Sequence, residues 1–255
     1  MLKTFCDEQF DIVIQAGQSN SEGTGFGDVE QPYIPNETVW YLNPDFTIGM
    51  AAEKVNGNFI QSNFSLSFAD EYLRGGFLQE DRKLLILRAA VGGTSFSEHH
   101  WGLHDPLYLK MKQMIHTALE LNEGNRLVAL LWHQGENDAA SNVSYETHYN
   151  NLLALVNDVK TVFQCPDLPF VAGDFAQDWK GGNLEICKPV IDAVRDVCAA
   201  CGSGAFVDTY GLQSNDQKLG TGDTIHFCRE ALYALGQRYF NAFKGILSEK
   251  NGRAN

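Results

Sequence analysis

No stretch of this chain stays apolar for long enough to cross a bilayer as a helix, which argues against a membrane-spanning protein. Basic residues are also scarce. Nineteen Lys and Arg stand against 32 Asp and Glu, for a formal net charge of −13. A surface of that sign repels phosphate backbones and anionic lipid, so no nucleic acid and no membrane is expected as a partner, and a neutral small molecule is favoured. Met1–Glu8 has no apolar core and turns acidic at once, so no signal peptide is read. The expected location is the cytoplasm, or the exterior if a leader has been removed. Six scattered cysteines then read as reduced thiols, and the Asn-x-Ser/Thr sequons at Asn36, Asn63 and Asn142 as chance.

Cofactor and metal signatures are missing too. Gly23-Thr24-Gly25-Phe26-Gly27 lacks the spacing of a dinucleotide fingerprint and comes too late after its strand. Cys198-Ala199-Ala200-Cys201 has no second Cys or His pair to complete a tetrahedral zinc site. His100 and His104 are four residues apart, but Gly102 and the Asp105-Pro106 step make that stretch a loop, not a helix that presents both rings together. No metal and no cofactor is expected.

What is present is a long alternation. Continuous apolar runs at Phe10–Ala16, Leu84–Ala90, Leu127–Trp132, Pro169–Ala172 and Ala205–Asp208 have the pattern of parallel strands covered on both faces. Helical patterns lie near Leu66–Leu73, Pro106–Leu121, Tyr145–Phe163, Leu184–Ala200 and Arg229–Leu247. In the third, Leu152, Leu155, Val156 and Val159 recur at three- and four-residue steps, marking one buried face. Right-handed crossovers turn such an alternation into a three-layer α/β/α sandwich with a central five-stranded parallel sheet. Residues 1–255 read as one domain, with a long irregular insertion at about 24–61, rich in Gly, Pro, Asn and aromatics, placed as a wall of the binding site.

The polar clusters fall at the carboxyl ends of the expected strands, where open α/β sheets bind ligands. They are Gly17-Gln18-Ser19-Asn20, Gly92-Gly93-Thr94, His133-Gln134-Gly135-Glu136-Asn137-Asp138, and Asp223-Thr224-Ile225-His226 before the last helix. A Ser hydroxyl becomes a nucleophile when a neutral His takes its proton, and the imidazolium so formed needs a carboxylate. The tetrahedral intermediate needs fixed donors, which the backbone N–H groups of Ser19 and Gly93 and a side-chain amide, Asn137 or Gln134, can provide. Taken singly, Ser19 is a helix cap and Asp223-x-x-His226 a turn hydrogen bond. Four ordered blocks reverse that balance.

These blocks resemble the SGNH hydrolase superfamily, specifically its carbohydrate acetylesterase branch of sialate O-acetylesterase-like and carbohydrate esterase family 6-like proteins. The matching residues are Gly17–Asn20, Gly92–Thr94, Trp132–Glu136 and Asp223–His226, and the resemblance runs from about Phe10 to Leu247. It implies a flavodoxin-like sandwich and a metal-independent Ser-His-Asp esterase that removes acetyl groups from a sugar, oligosaccharide or sialic acid. It makes Ser19 the nucleophile, His226 the base and then acid, and Asp223 its orienter. Glu136 is expected to brace the loops, Gln18 to bind substrate or brace the site, and Trp101 to offer an aromatic face to the sugar. A sialic acid carboxylate calls for an arginine, with Arg88 and Arg74 as candidates. The alternatives are an SGNH lipase or thioesterase acting on another acyl ester, and a non-catalytic sugar-binding module. Oligomeric state is not legible.

Overall fold

The computed structural model describes residues 5–57 and 59–253, so the Met1–Thr4 part of the leader reading lies outside the described residues. Strand β1 (Gln9–Gly17) runs into a single helical turn, α1 (Ser19–Glu22). The excursion that follows contributes β2 (Val39–Leu42), β3 (Ile48–Met50), β4 (Lys54–Asn56) and β5 (Phe59–Gln61). Helix α2 (Phe64–Arg74) leads to β6 (Arg82–Arg88), and α3 (Pro106–Glu120) leads to β7 (Arg126–His133). Next come α4 (Glu136–Ala140), α5 (Tyr145–Val162), β8 (Phe170–Gly173), α6 (Gln177–Gly182), α7 (Leu184–Ala200) and β9 (Gly204–Val207). The last described elements are α8 (Asn215–Leu219) and α9 (Arg229–Arg253).

The main sheet has the order β3-β2-β6-β1-β7-β8-β9, parallel throughout except for β3, which runs antiparallel to β2 at the edge. The expected five-stranded sheet is therefore seven-stranded. The two extra strands come from the excursion, where four- and three-residue segments flank a turn through Asn43, Pro44 and Asp45. Segments that short leave no apolar run to read in the sequence, yet β2 still lies parallel beside β6, with Tyr41 opposite Ile86.

The continuous apolar strands are explained by two cores. Phe10, Ile12, Ile14 and Ala16 of β1 pack with side chains of α3, α5 and α7 on one face. Val13 packs with α2 and α9 on the other. Asp11 shares that second face and is fully buried, but Arg82 Nε lies 2.7 Å and Arg126 Nε 2.6 Å from its carboxylate, and the Tyr72 hydroxyl donates at 2.7 Å. Burial raises the Asp11 pKa, but these partners outweigh it and hold the group below the usual carboxylate range.

The topology decides where the polar blocks meet. Successive strands β6 and β7 pair with opposite edges of β1, so three adjacent parallel strands send their loops to one crevice. Gly17 closes that crevice. Its φ is +123°, and a side chain there would place Cβ 2.1 Å from the His133 carbonyl oxygen. With glycine, the ends of β1 and β7 touch, and the Gln18 N–H donates to that oxygen at 2.9 Å.

Candidate active site

Ser19 is the first residue of α1, delivered by the break at Gly17, and it is 8% exposed. Its Oγ lies 2.9 Å from His226 Nε2, although the two residues are 207 positions apart. His226 Nδ1 lies 3.0 Å from both Asp223 Oδ1 and Oδ2. An ionised carboxylate only accepts, so Nδ1 carries the proton, and Nε2 is left as the acceptor for the Ser19 hydroxyl. The Asp223 side chain is 28% exposed. Burial raises its pKa, yet the Asn215 amide at 2.9 Å and the bonds from His226 hold it below the usual range. Asn215 also takes the His226 carbonyl on its own N–H at 2.8 Å, which fixes the loop from behind.

At the start of α9, Cys228 stands where a serine or threonine cap would, and none is needed. The Arg229 N–H donates to the Phe26 carbonyl at 2.8 Å, and the Cys228 carbonyl accepts from Leu232 at 3.0 Å. The helix therefore starts directly after the His loop.

Three donors in the blocks around the serine are left without a partner among the described residues. As the first residue of α1, Ser19 has an N–H that the helix cannot satisfy, and no partner for it occurs among the described residues. Gly93, at φ +71°, likewise has an unpartnered N–H there. Its neighbour Gly92 donates to Glu22 Oε2 at 2.7 Å, and a Cβ on Gly92 would sit 3.5 Å from Ser19 Cβ, so this turn lies against the serine. The third is Asn137. Gln18 Nε2 donates to its Oδ1 at 3.1 Å, which leaves Nδ2 as the free end of the amide, with no partner among the described residues.

Gln134, the other amide expected as a donor, is turned away. It is buried, and its Nε2 donates to Asp138 Oδ2 at 2.7 Å, with Gln18 Oε1 and the Thr94 carbonyl each at 3.4 Å. The buried Asp138 carboxylate, one helical turn ahead, takes this amide hydrogen in a charge-assisted bond. Trp101 also departs from expectation. It is fully buried, stands edge-on to Trp132, and donates from Nε1 to Thr94 Oγ1 at 2.9 Å. No face of it is available to a sugar, and it braces the turn at Thr94 instead.

The block after β7 is a junction of polar contacts. Gln18 Oε1 accepts from the N–H groups of Gly135 and Asn137, each at 3.3 Å. Asp138 is buried rather than solvated, and it accepts from the N–H groups of Phe96 at 3.1 Å and Ser97 at 2.9 Å. Burial raises its pKa, but His148 and Gln134, together with the Ser97 N–H, hold it down to about 2. Glu136, fully buried, accepts from Asn20 Nδ2 at 2.7 Å, and burial pushes its pKa up. His133 Nδ1 lies 3.0 Å from the Tyr239 hydroxyl, which itself donates to the Trp132 carbonyl, and burial pushes this His down to about 3. It is a neutral structural imidazole.

Asn20, Asn215 and Glu22 were not legible as site residues. Asn20 is part of a block but its role is not, and Asn215 stands eight residues before Asp223 in no motif. Among the described residues no group of three or more His, Cys, Asp and Glu is placed to hold a metal ion. His100 Nδ1 instead accepts from the Ser95 N–H at 3.1 Å. All six cysteines are free, and the Cys201 thiol points back to the Cys198 carbonyl. No described helix is long and apolar enough to cross a membrane.

Arg88 and Lys54 line a cavity of about 180 Å³ with Gln15, Glu22, Pro44 and Ala90. Arg88 stands 5.0 Å over the Tyr41 ring, and neither cation is paired with a carboxylate among the described residues. Glu22 connects this cavity to the Gly92 turn and hence to Ser19. Arg74 does not belong here. It ends α2, and at 1.5 Å per residue that end is about 15 Å from the Phe64 start near the crevice. It is also held by Asp70 and Glu71.

A family model described as a carbohydrate esterase, sialic acid-specific acetylesterase, matches residues 9–245. A probable carbohydrate esterase of Arabidopsis thaliana is 25% identical over 158 residues, which are 62% of this chain and 54% of the relative. The match thus spans about half of that relative's length. Among solved structures, NanS has a TM-score of 0.78 at 18% identity, covering 95% of this chain and 99% of its own. An Arabidopsis thaliana protein follows with a TM-score of 0.71 at 23% identity, covering 92% and 98%. A lipase/acylhydrolase from Enterococcus faecalis has a TM-score of 0.52 at 15% identity, covering 93% and 96%. At those identities the structural likeness is one of fold alone.

Proposed function

Since the chain belongs to the carbohydrate esterase family described as sialic acid-specific acetylesterases, we propose that it is a serine esterase that removes O-acetyl groups from a carbohydrate. The observation that carries this reading is the bonded series Ser19 Oγ, His226 Nε2, His226 Nδ1, Asp223 carboxylate, at 2.9 and 3.0 Å. In the reaction, His226 Nε2 takes the proton of Ser19 as Oγ attacks the acetyl carbonyl. Charge develops on the carbonyl oxygen, and the N–H groups of Ser19 and Gly93 with Asn137 Nδ2 stabilise it. The imidazolium, stabilised by Asp223, then protonates the departing sugar oxygen. Water then enters, gives its proton to His226 as its oxygen attacks the acetyl-serine carbonyl, and acetate is released as His226 returns that proton to the departing Ser19 Oγ.

The test is hydrolysis of p-nitrophenyl acetate, butyrate and octanoate, beside an O-acetylated sialic acid. The expected result is preference for acetate, with acetate released from the sugar. A preference for octanoate would assign the site to lipid esters instead. Asn137→Ala should lower kcat on the acetate by about 10²–10³-fold with KM little changed, because the amide acts on charge present only in the transition state. An unchanged kcat would remove Asn137 from the oxyanion role.

The cavity beside Gly92 supports an acidic sugar. In a chain of net charge −13, Arg88 and Lys54 leave this cavity net positive even with Glu22 counted. The cavity suits the carboxylate of a sialic acid, while the excursion that carries Pro44 and Lys54 forms its wall. Arg88→Ala should raise KM for the O-acetylated sialic acid by roughly 10–100-fold, the loss of one charge-assisted contact, and leave p-nitrophenyl acetate unaffected. Equal KM values for the sialic acid ester would place its carboxylate elsewhere.

A further inference from the structure

Ser19 and His226 come from opposite ends of the chain, and their 2.9 Å contact needs something that references one backbone to the other. Asn20 makes that connection. It is fully buried, next to Ser19 on α1, and its side chain grips the peptide on both sides of His226. Nδ2 donates to the Ile225 carbonyl at 3.0 Å, and Oδ1 accepts from the Phe227 N–H at 3.1 Å. The second hydrogen of Nδ2 goes to Glu136 Oε1 at 2.7 Å.

The amide has only one useful orientation. Glu136 Oε1 offers lone pairs, so it draws the NH₂ end of Asn20 and leaves Oδ1 facing the Phe227 N–H. Reversal would set two acceptors against each other at Glu136 and two donors at Phe227, all of them buried. We propose that Asn20 is a positioning residue for the catalytic base, holding His226 in register with Ser19, and that Glu136 sets the direction in which it grips. The proposal rests on the serine-esterase reading above. It gives the buried carboxylate after β7 a task without a proton transfer, and gives the last residue of the first block a task other than filling space.

Active-site titration on the full chain tests it, with the p-nitrophenol burst counting competent sites and the acylation rate constant measured per site. Asn20→Ala should titrate normally, yet acylate about 100-fold more slowly per site, the order of loss expected for a small misplacement of a reacting group. KM should change little. Asn20→Asp keeps the shape and the acceptor but loses both donated bonds, so it should also be slow per site even if the alanine variant fails to fold. Glu136→Leu should slow acylation, and Glu136→Gln should recover most of the rate, since glutamine still presents an acceptor oxygen. A wild-type rate constant per site in both Asn20 variants would overturn the proposal, including when fewer sites titrate, because fewer sites at full speed is the signature of a merely structural residue. Failure of glutamine to rescue would overturn the assignment of Glu136. Neither result is confused with failure of the esterase reading, which is measured separately by Ser19→Ala.

Discussion

Ser19→Ala is expected to remove essentially all ester hydrolysis, a fall on the order of 10⁴–10⁶ in kcat, while the protein remains folded. The hydroxyl bonds to His226 and sits at the crevice surface, so its removal deletes one atom without opening the core. Stability should change by no more than about 1 kcal/mol. His226→Ala should cost a similar factor, because an unactivated serine is nearly as poor a nucleophile as none. The double variant should be no slower than either single one, since the two residues act as a unit. Turnover of p-nitrophenyl acetate, with circular dichroism to verify the fold, measures all three. A residual rate within about tenfold of wild type for Ser19→Ala would put the nucleophile elsewhere, and multiplicative losses in the double variant would dissolve the unit.

Asp223→Asn should cost roughly 10³–10⁴ in kcat, for a reason specific to this loop. Asn215 Nδ2 donates to Asp223 Oδ2 at 2.9 Å. In the variant that donor would hold the new amide by its oxygen, which turns the NH₂ toward His226. Nδ1 would then have to accept, placing the proton on Nε2, where it blocks transfer from Ser19. The shape of the site survives and its tautomer does not. A loss below about tenfold would mean that His226 is oriented without the carboxylate. Because the folded-state pKa of Asp223 lies below its ordinary value of 3.8, the group stays ionised as pH falls toward that value. Its contribution to stability is present above 3.8 and is lost only as pH falls through the lower folded value. Acid inactivation above pH 4 therefore has another source.

The catalytic reading was available in the sequence because each block is local. Gly17 through Asn20 and Asp223 through His226 carry their chemistry within four residues, and the order of strands and helices states which sheet edge they share. The two added strands were hidden for a different reason. β2 and β3 gain their place by pairing with β6 and with each other, and pairing of such short segments leaves no periodic trace in the chain. Trp101 shows the limit of composition: an indole near a sugar site fits stacking, but whether it faces solvent or Trp132 depends on the packing of α3 and β7.

The same limit applies to the amides. Asn137 and Gln134 are equivalent in sequence as donors, three residues apart in one block. The difference between them is set by two neighbours that arrive from distant parts of the chain or from the next turn. Gln18 occupies the oxygen of Asn137 and frees its nitrogen, while Asp138 occupies the nitrogen of Gln134. The sequence by itself determined the fold class, the order of the blocks and the family, because those depend on residue types and local spacing. Only the tertiary structure decided which amide is free, which aromatic is buried and which asparagine grips the base, because a hydrogen bond is allotted by competition among groups that folding brings together.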